Sequence, residues 1–323
     1  MLNIAITGGS GFIGNELTKQ LIKNEKVERI IIISRGEAKQ SSMKTSFPDG
    51  AGSKLRYFIG DARDYNRLCQ AFREVDCVIH CAALKRVEVC EYDPIEAVQT
   101  NVLGAVNVVN ACNATGVKKC ILTSTDKACM PDTLYGGTKF CAERIFTAAN
   151  NLGSCRFSSC RYANVEGSTG SVIPIWKHTL ALDGTIDITD KRMTRMWITQ
   201  EHAARFVLDR LESMEGGEVF IPDLKGETLL DTAKRCCGYG NYCIETSDPH
   251  SFNEIGIRPN EKLHETLISD ADSRNCYKTD DYYTIYPAFH DWRVKFPKKG
   301  TKMPESFRLS SDGPKADTDW GKE

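Results

Sequence analysis

The sequence predicts an α/β protein: a Rossmann-type doubly wound parallel sheet joined to a smaller C-terminal lobe. Three observations predict it. Short apolar runs alternate with helical patterns through the first half of the chain. The first run leads directly into Thr7-Gly8-Gly9-Ser10-Gly11-Phe12-Ile13-Gly14, a glycine-rich turn that opens a helix. The length of 323 residues leaves room for one large domain and a smaller partner.

Taken in order, residues 3–7, 29–34, Leu55–Ile59, Cys77–His80 and 119–123 read as strands, and residues 12–23, 64–72, 94–114 and 133–150 as helices. The third helix is the clearest. Ile95, Val98, Val102, Val106 and Val109 recur at helical spacing after Pro94, a residue suited to a first turn. Past Arg161 the pattern loosens: Gly167 to Gly170 and Pro174 are turn-like, residues 183–190 alternate in polarity, and 197–211 has a helical pattern that returns to the first domain. The division is a dinucleotide-binding domain at 1–165 with a returning segment at about 190–222, and a lobe at 166–189 and 223–296, to which 223–248 and 254–269 contribute. The end, 297–323, is rich in Lys, Ser, Asp and Pro and is expected to be disordered or laid across the surface.

Lys and Arg number 42 against 43 Asp and Glu, so the chain lacks the basic excess that nucleic acid or an anionic membrane selects. No run approaches ~18 consecutive apolar residues, and Met1 leads at once into the first strand without a charged leader, which points to a soluble cytoplasmic protein. The 14 cysteines sit within apolar segments, as at Cys77, Cys81, Cys112 and Cys120, and fit reduced, mostly buried thiols. Neither Cys236-Cys237 nor the Cys77…Cys81 spacing makes a paired ligand set, so no metal site is expected.

Gly8, Gly11 and Gly14 stand three apart at the strand–helix junction. Lack of side chains lets the turn tighten and lets backbone N–H groups approach a pyrophosphate at the helix N-terminus. An NAD site places an acidic residue about twenty positions on to meet the ribose 2′-hydroxyl. Here the second strand ends in Ser34-Arg35, with Lys39 close behind, a cationic fork suited to a 2′-phosphate, so NADP is the expected cofactor. Asp61 of Gly60-Asp61-Ala62-Arg63-Asp64 is placed to accept from the adenine amine or to cap the next helix.

The segment 124–139, S-T-D-K-A-C-M-P-D-T-L-Y-G-G-T-K, carries the chemistry. Tyr135 and Lys139, four apart, share a helical face, so the lysine would lower the phenol's pKa and let it take a proton from a sugar hydroxyl. Asp126 and Lys127 add a second acid/base pair that hydride transfer alone does not need. For diphosphate, Arg195 and Arg258 are the best candidates, since guanidinium groups bind phosphate oxygens bidentately.

Ten motifs extend this pattern nearly end to end: T-G-G-S-G-F-I-G, I-S-R-G-E-A-K-Q, G-D-A-R-D, H-C-A-A-L-K-R-V, T-N-V-L-G-A-V-N-V, S-T-D-K-A, Y-G-G-T-K, R-Y-A-N-V-E-G-S-T-G-S-V-I-P, I-T-D-K-R-M-T-R-M-W-I-T and I-G-I-R-P-N-E-K-L-H-E. With them the chain resembles the extended short-chain dehydrogenase/reductase superfamily and, within it, the inverting UDP-N-acetylglucosamine 4,6-dehydratases. S-T-D-K-A and R-P-N-E-K-L-H-E are the specific blocks, whereas the glycine loop and Y-x-x-x-K belong to the whole superfamily. Ala163 and Asn260 stand where glycine is usual or common, and Cys81 interrupts an alanine-rich turn.

The resemblance implies an NADP-dependent dehydration of UDP-N-acetylglucosamine across C4 and C6 with inversion at C5. The 4-hydroxyl must be oxidised first, because the C5 hydrogen becomes acidic only beside a carbonyl. In that scheme Tyr135 and Lys139 serve the oxidation, with Thr125 and Ser124 orienting the same oxygen. Lys127 is the base at C5, and Asp126 protonates the departing 6-hydroxyl. Lys127 must then be neutral, for which burial and the neighbouring cations Lys139 and Lys85 are expected to lower its pKa. Asp126 needs its proton from desolvation or from a relay.

The cofactor set implied is Gly8, Ser10, Gly11, Phe12, Ile13, Gly14, Ser34, Arg35, Lys39, Asp61, Ala62, Cys81, Ala82, Ala83, Lys85, Asn101, Ser124, Tyr135 and Lys139. The substrate set is Lys85, Thr125, Tyr135, Asn164, Val172, Arg195, Arg258 and Glu261, with Asn164 at the diphosphate, Val172 at the uracil, Glu261 at the uridine ribose and Lys85 at the sugar. Retaining relatives carry Asp-Glu where this chain has Asp-Lys. A 4-epimerase shares Tyr135, Lys139 and the glycine loop but needs no Asp126-Lys127, and a non-catalytic NADP-binding protein would need none of these side chains. UDP-glucose stays open as substrate. Helices 94–114 and 133–150 would pair with a second copy in a homodimer or a larger ring.

Overall fold

The computed structural model describes residues 1–47, 53–183, 185–237, 252–289 and 298–313. Strands β1 (Leu2–Thr7), β2 (Val27–Ser34), β3 (Leu55–Ile59), β4 (Cys77–His80), β5 (Lys119–Thr125) and β6 (Arg156–Tyr162) run parallel in the order β3-β2-β1-β4-β5-β6. Val219–Pro222 continues the parallel sheet beside β6, and the antiparallel strands Tyr282–Ile285, Cys276–Lys278 and Thr301–Lys302 bring it to ten strands among the described residues. The chain crosses over between β3 and β4, so the strand order reverses at β1 and a crevice opens at the carboxyl ends of β1 and β4.

The apolar runs are explained by burial on both faces. In β2, Ile30 and Ile32 join one core with Leu17 and Leu21 of α1 (Phe12–Ile22) and Ala203, Val207 and Leu211 of helix Gln200–Ser213. Ile31 and Ile33 point the other way, into a second core that holds Leu68, Val108, Val109 and Phe146. Those residues come from α3 (Tyr65–Ala71), α6 (Gly104–Thr115) and α7 (Leu134–Ala149).

The sequence reading misses α2 (Glu37–Ser46), α4 (Val87–Tyr92), β6 and helix Val172–Asp183. The expected helix 94–114 is interrupted: α5 (Pro94–Val98) passes into a widened π turn, Gln99–Leu103, before α6. Residues 197–211 divide into strand Thr194–Ile198 and helix Gln200–Ser213, because the Thr199 hydroxyl caps the helix by accepting from the His202 N–H at 3.1 Å. Nor is the tail merely laid on the surface. Thr301–Lys302 extends the main sheet, and Leu309–Ser310 pairs with Thr266–Ile268. The parts of the expected lobe and tail at 238–251, 290–297 and 314–323 lie outside the described residues.

β6 is polar in sequence yet buried from Phe157 to Tyr162, since each polar side chain named here finds a partner far along the chain. Arg161 lies 2.7 Å from Glu143 of α7 and 2.9 Å from Asp272, and the Ser158 hydroxyl donates to Glu218 at 2.6 Å. The Arg161 network ties β6, α7 and the C-terminal lobe together at one point. Among the described residues no helix is long and apolar enough to cross a membrane, and no cluster of His, Cys, Asp and Glu is arranged for a metal ion.

Candidate active site

A cleft of about 1590 Å³ runs along the carboxyl ends of the parallel strands and is closed on its other side by residues such as Arg195, Arg258, Glu261 and Glu265. Every expected site residue lines it except Asn101. Asn101 is buried in the π turn, where its amide donates to Leu84 O at 2.9 Å and to the Thr138 hydroxyl at 3.0 Å, while its Oδ1 accepts from the Leu84 N–H at 2.8 Å. It braces the loop after β4 against α7 and does not face the cleft.

At the β1–α1 end, Gly8 has φ +68°, and a Cβ there would stand 2.7 Å from Ala82 N, so the turn and the β4 loop approach as only glycine allows. Ser10, Gly11, Phe12, Ile13 and Gly14 complete this wall, and Cys81, Ala82 and Ala83 face it. The arrangement fits a dinucleotide pyrophosphate at the α1 N-terminus. At the end of β2, Ser34 Oγ accepts from the Ser10 hydroxyl at 2.8 Å and from the Gln40 amide at 2.9 Å, with Arg35 and Lys39 beside it. Asp61 lies 2.7 Å from Arg63 and 3.8 Å from Arg35. Burial opposes its charge, but hydrogen bonds from Arg63 and the charges of Arg63 and Arg35 outweigh it and hold the carboxyl below its ordinary pKa. Ala62 lines the same corner.

The segment 124–139 leaves β5 at Thr125 and turns through a short 3₁₀ helix, Asp126–Ala128. α7 begins close above it, because Gly136 has no side chain: a Cβ there would lie 2.2 Å from Lys127 O. Asp126 is buried, and its Oδ1 accepts from the Thr125 hydroxyl at 2.8 Å, the Lys127 N–H at 2.9 Å and Lys127 Nζ at 3.2 Å. Among the described residues, Asp126 Oδ2 and Ser124 Oγ are buried without a hydrogen-bond partner. Tyr135 hydrogen-bonds Thr125 and feels the charges of Lys127 and Asp126, so phenol, hydroxyl, carboxylate and amine form one connected group.

Three electrostatic expectations change here. Tyr135 is raised to about 12 rather than lowered: burial dominates and Asp126 adds to it, while Lys127 and the Thr125 side chain pull back only in part. The cation acting on the phenol is Lys127, not Lys139. Lys139 is lowered to about 8 by burial, against the opposing charges of Glu143 and Cys81. Lys127 is not made neutral by Lys139 and Lys85. Burial and Arg195 lower its pKa, but the carboxylates of Asp126 and Glu265 outweigh both and hold it above the ordinary value, as an ammonium. Lys85 is lowered by burial and by Arg86.

Glu265, the last residue of R-P-N-E-K-L-H-E, is the site residue the sequence reading missed, and its Oε1 lies 3.4 Å from Lys127 Nζ. The same block supplies Lys262, whose ammonium donates to the carbonyls of Cys129 at 3.3 Å and of Met130, fastening the lobe to the catalytic loop. Arg195 is buried and pairs with Glu261 at 3.3 Å, and Glu261 also accepts from the Arg258 N–H at 3.4 Å. Arg258 itself is exposed at the rim. Asn164 donates to Met196 O at 3.3 Å, and Val172 lines the outer end of the cleft.

A family model described as polysaccharide biosynthesis protein matches residues 4–287. An inverting UDP-N-acetylglucosamine 4,6-dehydratase from Campylobacter jejuni is 45% identical over 321 residues, covering 96% of this chain and 92% of that protein. A UDP-glucose 4-epimerase from Rickettsia bellii is 34% identical over 288 residues, covering 87% and 82%. Among solved structures, Pen from Bacillus thuringiensis superposes with a TM-score of 0.86 at 32% identity, covering 97% of this chain and 94% of its own.

Proposed function

The chain belongs to the polysaccharide biosynthesis protein family of extended short-chain dehydrogenase/reductases, and from that premise we propose that it is a hydro-lyase that dehydrates UDP-N-acetylglucosamine across C4 and C6 with inversion at C5. The observation that carries this reading is the Asp126–Lys127 pair, 3.2 Å apart in the cleft and coupled to Tyr135. An epimerase has no step that uses it. The 45% identical dehydratase supports the same substrate. Incubation with UDP-N-acetylglucosamine is expected to give a product lighter by one water, whereas a product of unchanged mass would favour the epimerase.

A nicotinamide dinucleotide bound along Gly8 to Gly14 supplies the hydride acceptor for C4 and the hydride donor for C6. The chain's own residues move the protons. Tyr135 takes the proton of the 4-hydroxyl as C4 becomes a ketone, with Thr125 and Ser124 orienting that oxygen. The Lys127 ammonium assists, because its charge favours the phenolate. Lys127 Nζ then removes the C5 proton into the carbonyl-stabilised enolate, and Asp126 gives its proton to the 6-hydroxyl, which leaves as water. As C6 takes up the hydride, a proton is delivered to C5 on the opposite face, drawn from solvent, and the proton held by Tyr135 is released to solvent, which returns every group to its starting state.

The second stage needs a neutral lysine and a protonated aspartic acid, and these two requirements are met by one proton. The ion pair and the neutral pair differ only by a transfer from Lys127 Nζ to the Asp126 carboxylate across 3.2 Å. Sugar filling the cleft removes water from Lys127, the more exposed partner of the pair, which penalises the ion pair and favours the neutral form.

For the cofactor, NADP is favoured over NAD because β2 ends in Ser34-Arg35 with no carboxylate at that position. Arg35→Ala is expected to weaken NADP binding about tenfold to 100-fold, the worth of a charge-assisted phosphate contact, and to leave NAD binding unchanged in a fluorescence titration. Equal NADP affinity in the variant would remove the assignment. At the substrate end, Arg195 and Arg258 hold the diphosphate with Asn164, and Arg195 exchanges its Glu261 partner for phosphate oxygens as Glu261 turns to the ribose. Val172 lies against uracil and Lys85 against the sugar.

The protein is read as a homodimer or a larger ring, supported by Tyr92 and Ile95, 89% and 70% exposed on α4 and α5. Sedimentation at the monomer mass would exclude that. Cysteines carried as free thiols agree with a cytoplasmic setting, and recovery in a secreted fraction would contradict it.

A further inference from the structure

Glu265 is held in place from three segments. Its N–H donates to Ser311 Oγ at 2.9 Å, and its carbonyl accepts from the Ser311 N–H at 2.8 Å and from the Ser310 hydroxyl at 3.2 Å. The preceding residue, His264, meets Thr194 side chain to side chain at 2.7 Å. The Glu265 side chain is only 5% exposed; Oε1 faces Lys127 Nζ, and Oε2 is buried without a hydrogen-bond partner among the described residues. A buried carboxylate with one orphan oxygen is costly, and an apolar residue would fill the same space at lower cost. Stability therefore does not account for it.

We infer that Glu265 is a positioning residue for the elimination step: it anchors Lys127 Nζ beside Asp126 and keeps it an ammonium until sugar fills the cleft. The inference rests on the reading of Lys127 as the C5 base. Two carboxylates flank one ammonium, at 3.2 Å from Asp126 and 3.4 Å from Glu265. When the proton passes to Asp126, one N–H bond breaks and one O–H bond forms, with no change in net charge. The neutral amine keeps two hydrogens and one lone pair. Glu265 accepts from one of those hydrogens, which keeps the lone pair off Glu265, and rotation about Cε–Nζ then carries it from Asp126 to the cleft.

The groups facing Lys127 are Thr125 and Asp126 from its own turn, Tyr135 from α7, Arg195 from strand Thr194–Ile198, and Glu265. Of these only Glu265 has no other role in the scheme. Its test is competitive acylation of the intact chain with acetic anhydride, read at Lys127 by peptide mass. Glu265→Gln removes a charge in contact with the amine, so Lys127 is expected to acylate at least about tenfold faster at about pH 9, a shift of one pH unit or more. Glu265→Asp keeps the charge at longer range and is expected to acylate faster than the parent but more slowly than Glu265→Gln. Equal Lys127 labelling in parent and Glu265→Gln would overturn the inference.

The second readout separates positioning from charge. Glu265→Asp draws the carboxylate back by one carbon, about 1.5 Å, and is expected to slow deuterium entry at C5 at least tenfold while C4 oxidation stays near the parent rate. If Glu265→Gln does not fold, this split decides: unchanged exchange, or an equal loss in both steps, overturns the role. Labelling needs no substrate. A parent chain that shows no C5 exchange at all therefore sinks the dehydratase reading, while the labelling still decides whether Glu265 governs Lys127.

Discussion

Replacing Lys127 by Ala is expected to abolish deuterium entry at C5 and water loss, lowering turnover by about 10³ or more, while affinity for the nicotinamide dinucleotide stays at the parent value. A positioned base contributes about 10²–10⁴ to proton abstraction, and no neighbour can substitute for this one. Asp126 and Glu265 are acids placed around the amine, Arg195 stays charged, and Tyr135 is committed to the 4-hydroxyl. The first half-reaction should survive but run more slowly, because the phenol loses the cation that favours its phenolate, so mixing the variant with UDP-N-acetylglucosamine should still reduce bound cofactor, observed by absorbance. Removing the ammonium also leaves two buried carboxylates facing each other without their cation, so the melting temperature must be read in parallel. Folded Lys127→Ala that still exchanges C5 would remove the residue from the role.

Tyr135→Phe is expected to fail one step earlier, with cofactor reduction, C5 exchange and water loss all falling about 10³-fold or more. Without the phenol no ketone forms at C4, and without the ketone the C5 hydrogen is not acidic enough for Lys127 to remove. The contrast between the two variants is the informative result. One retains C4 oxidation and loses exchange; the other loses both. The phenol has a pKa of about 12 in the substrate-free chain, raised by burial, so the proton is not lost beforehand and must be moved in concert with the chemistry. A Tyr135→Phe chain that still reduced cofactor would transfer the first step to another group, with Lys139 the nearest candidate at a pKa of about 8.

Much of the fold was legible because its signals are local. β1 to β5 are apolar runs whose alternate residues serve two cores, as Ile30 and Ile32 against Ile31 and Ile33 show. β6 was not legible, since Arg-Phe-Ser-Ser-Cys-Arg-Tyr becomes an interior strand only when Glu143, Glu218 and Asp272 arrive from elsewhere to satisfy it. The break in helix 94–114 was hidden for a similar reason: Asn101 turns inward to brace Leu84, a contact that no periodicity announces. At the site, Asp126, Lys127, Tyr135 and Lys139 were readable because they lie within one short segment. Their charge states were not. These depend on burial and on Glu265, which reaches Lys127 from the far end of the chain through the pairing of Thr266–Ile268 with Leu309–Ser310.

The central claim is that Lys127, made neutral by giving its proton to Asp126, takes the C5 hydrogen and that a proton returns on the other face. The direct test is NMR of the product formed from UDP-N-acetylglucosamine in deuterated buffer. The predicted product is a 2-acetamido-2,6-dideoxy-β-L-arabino-hexos-4-ulose with deuterium at C5 and an internally transferred hydrogen at C6. A product with C5 unlabelled, or with its original configuration retained, would contradict the account.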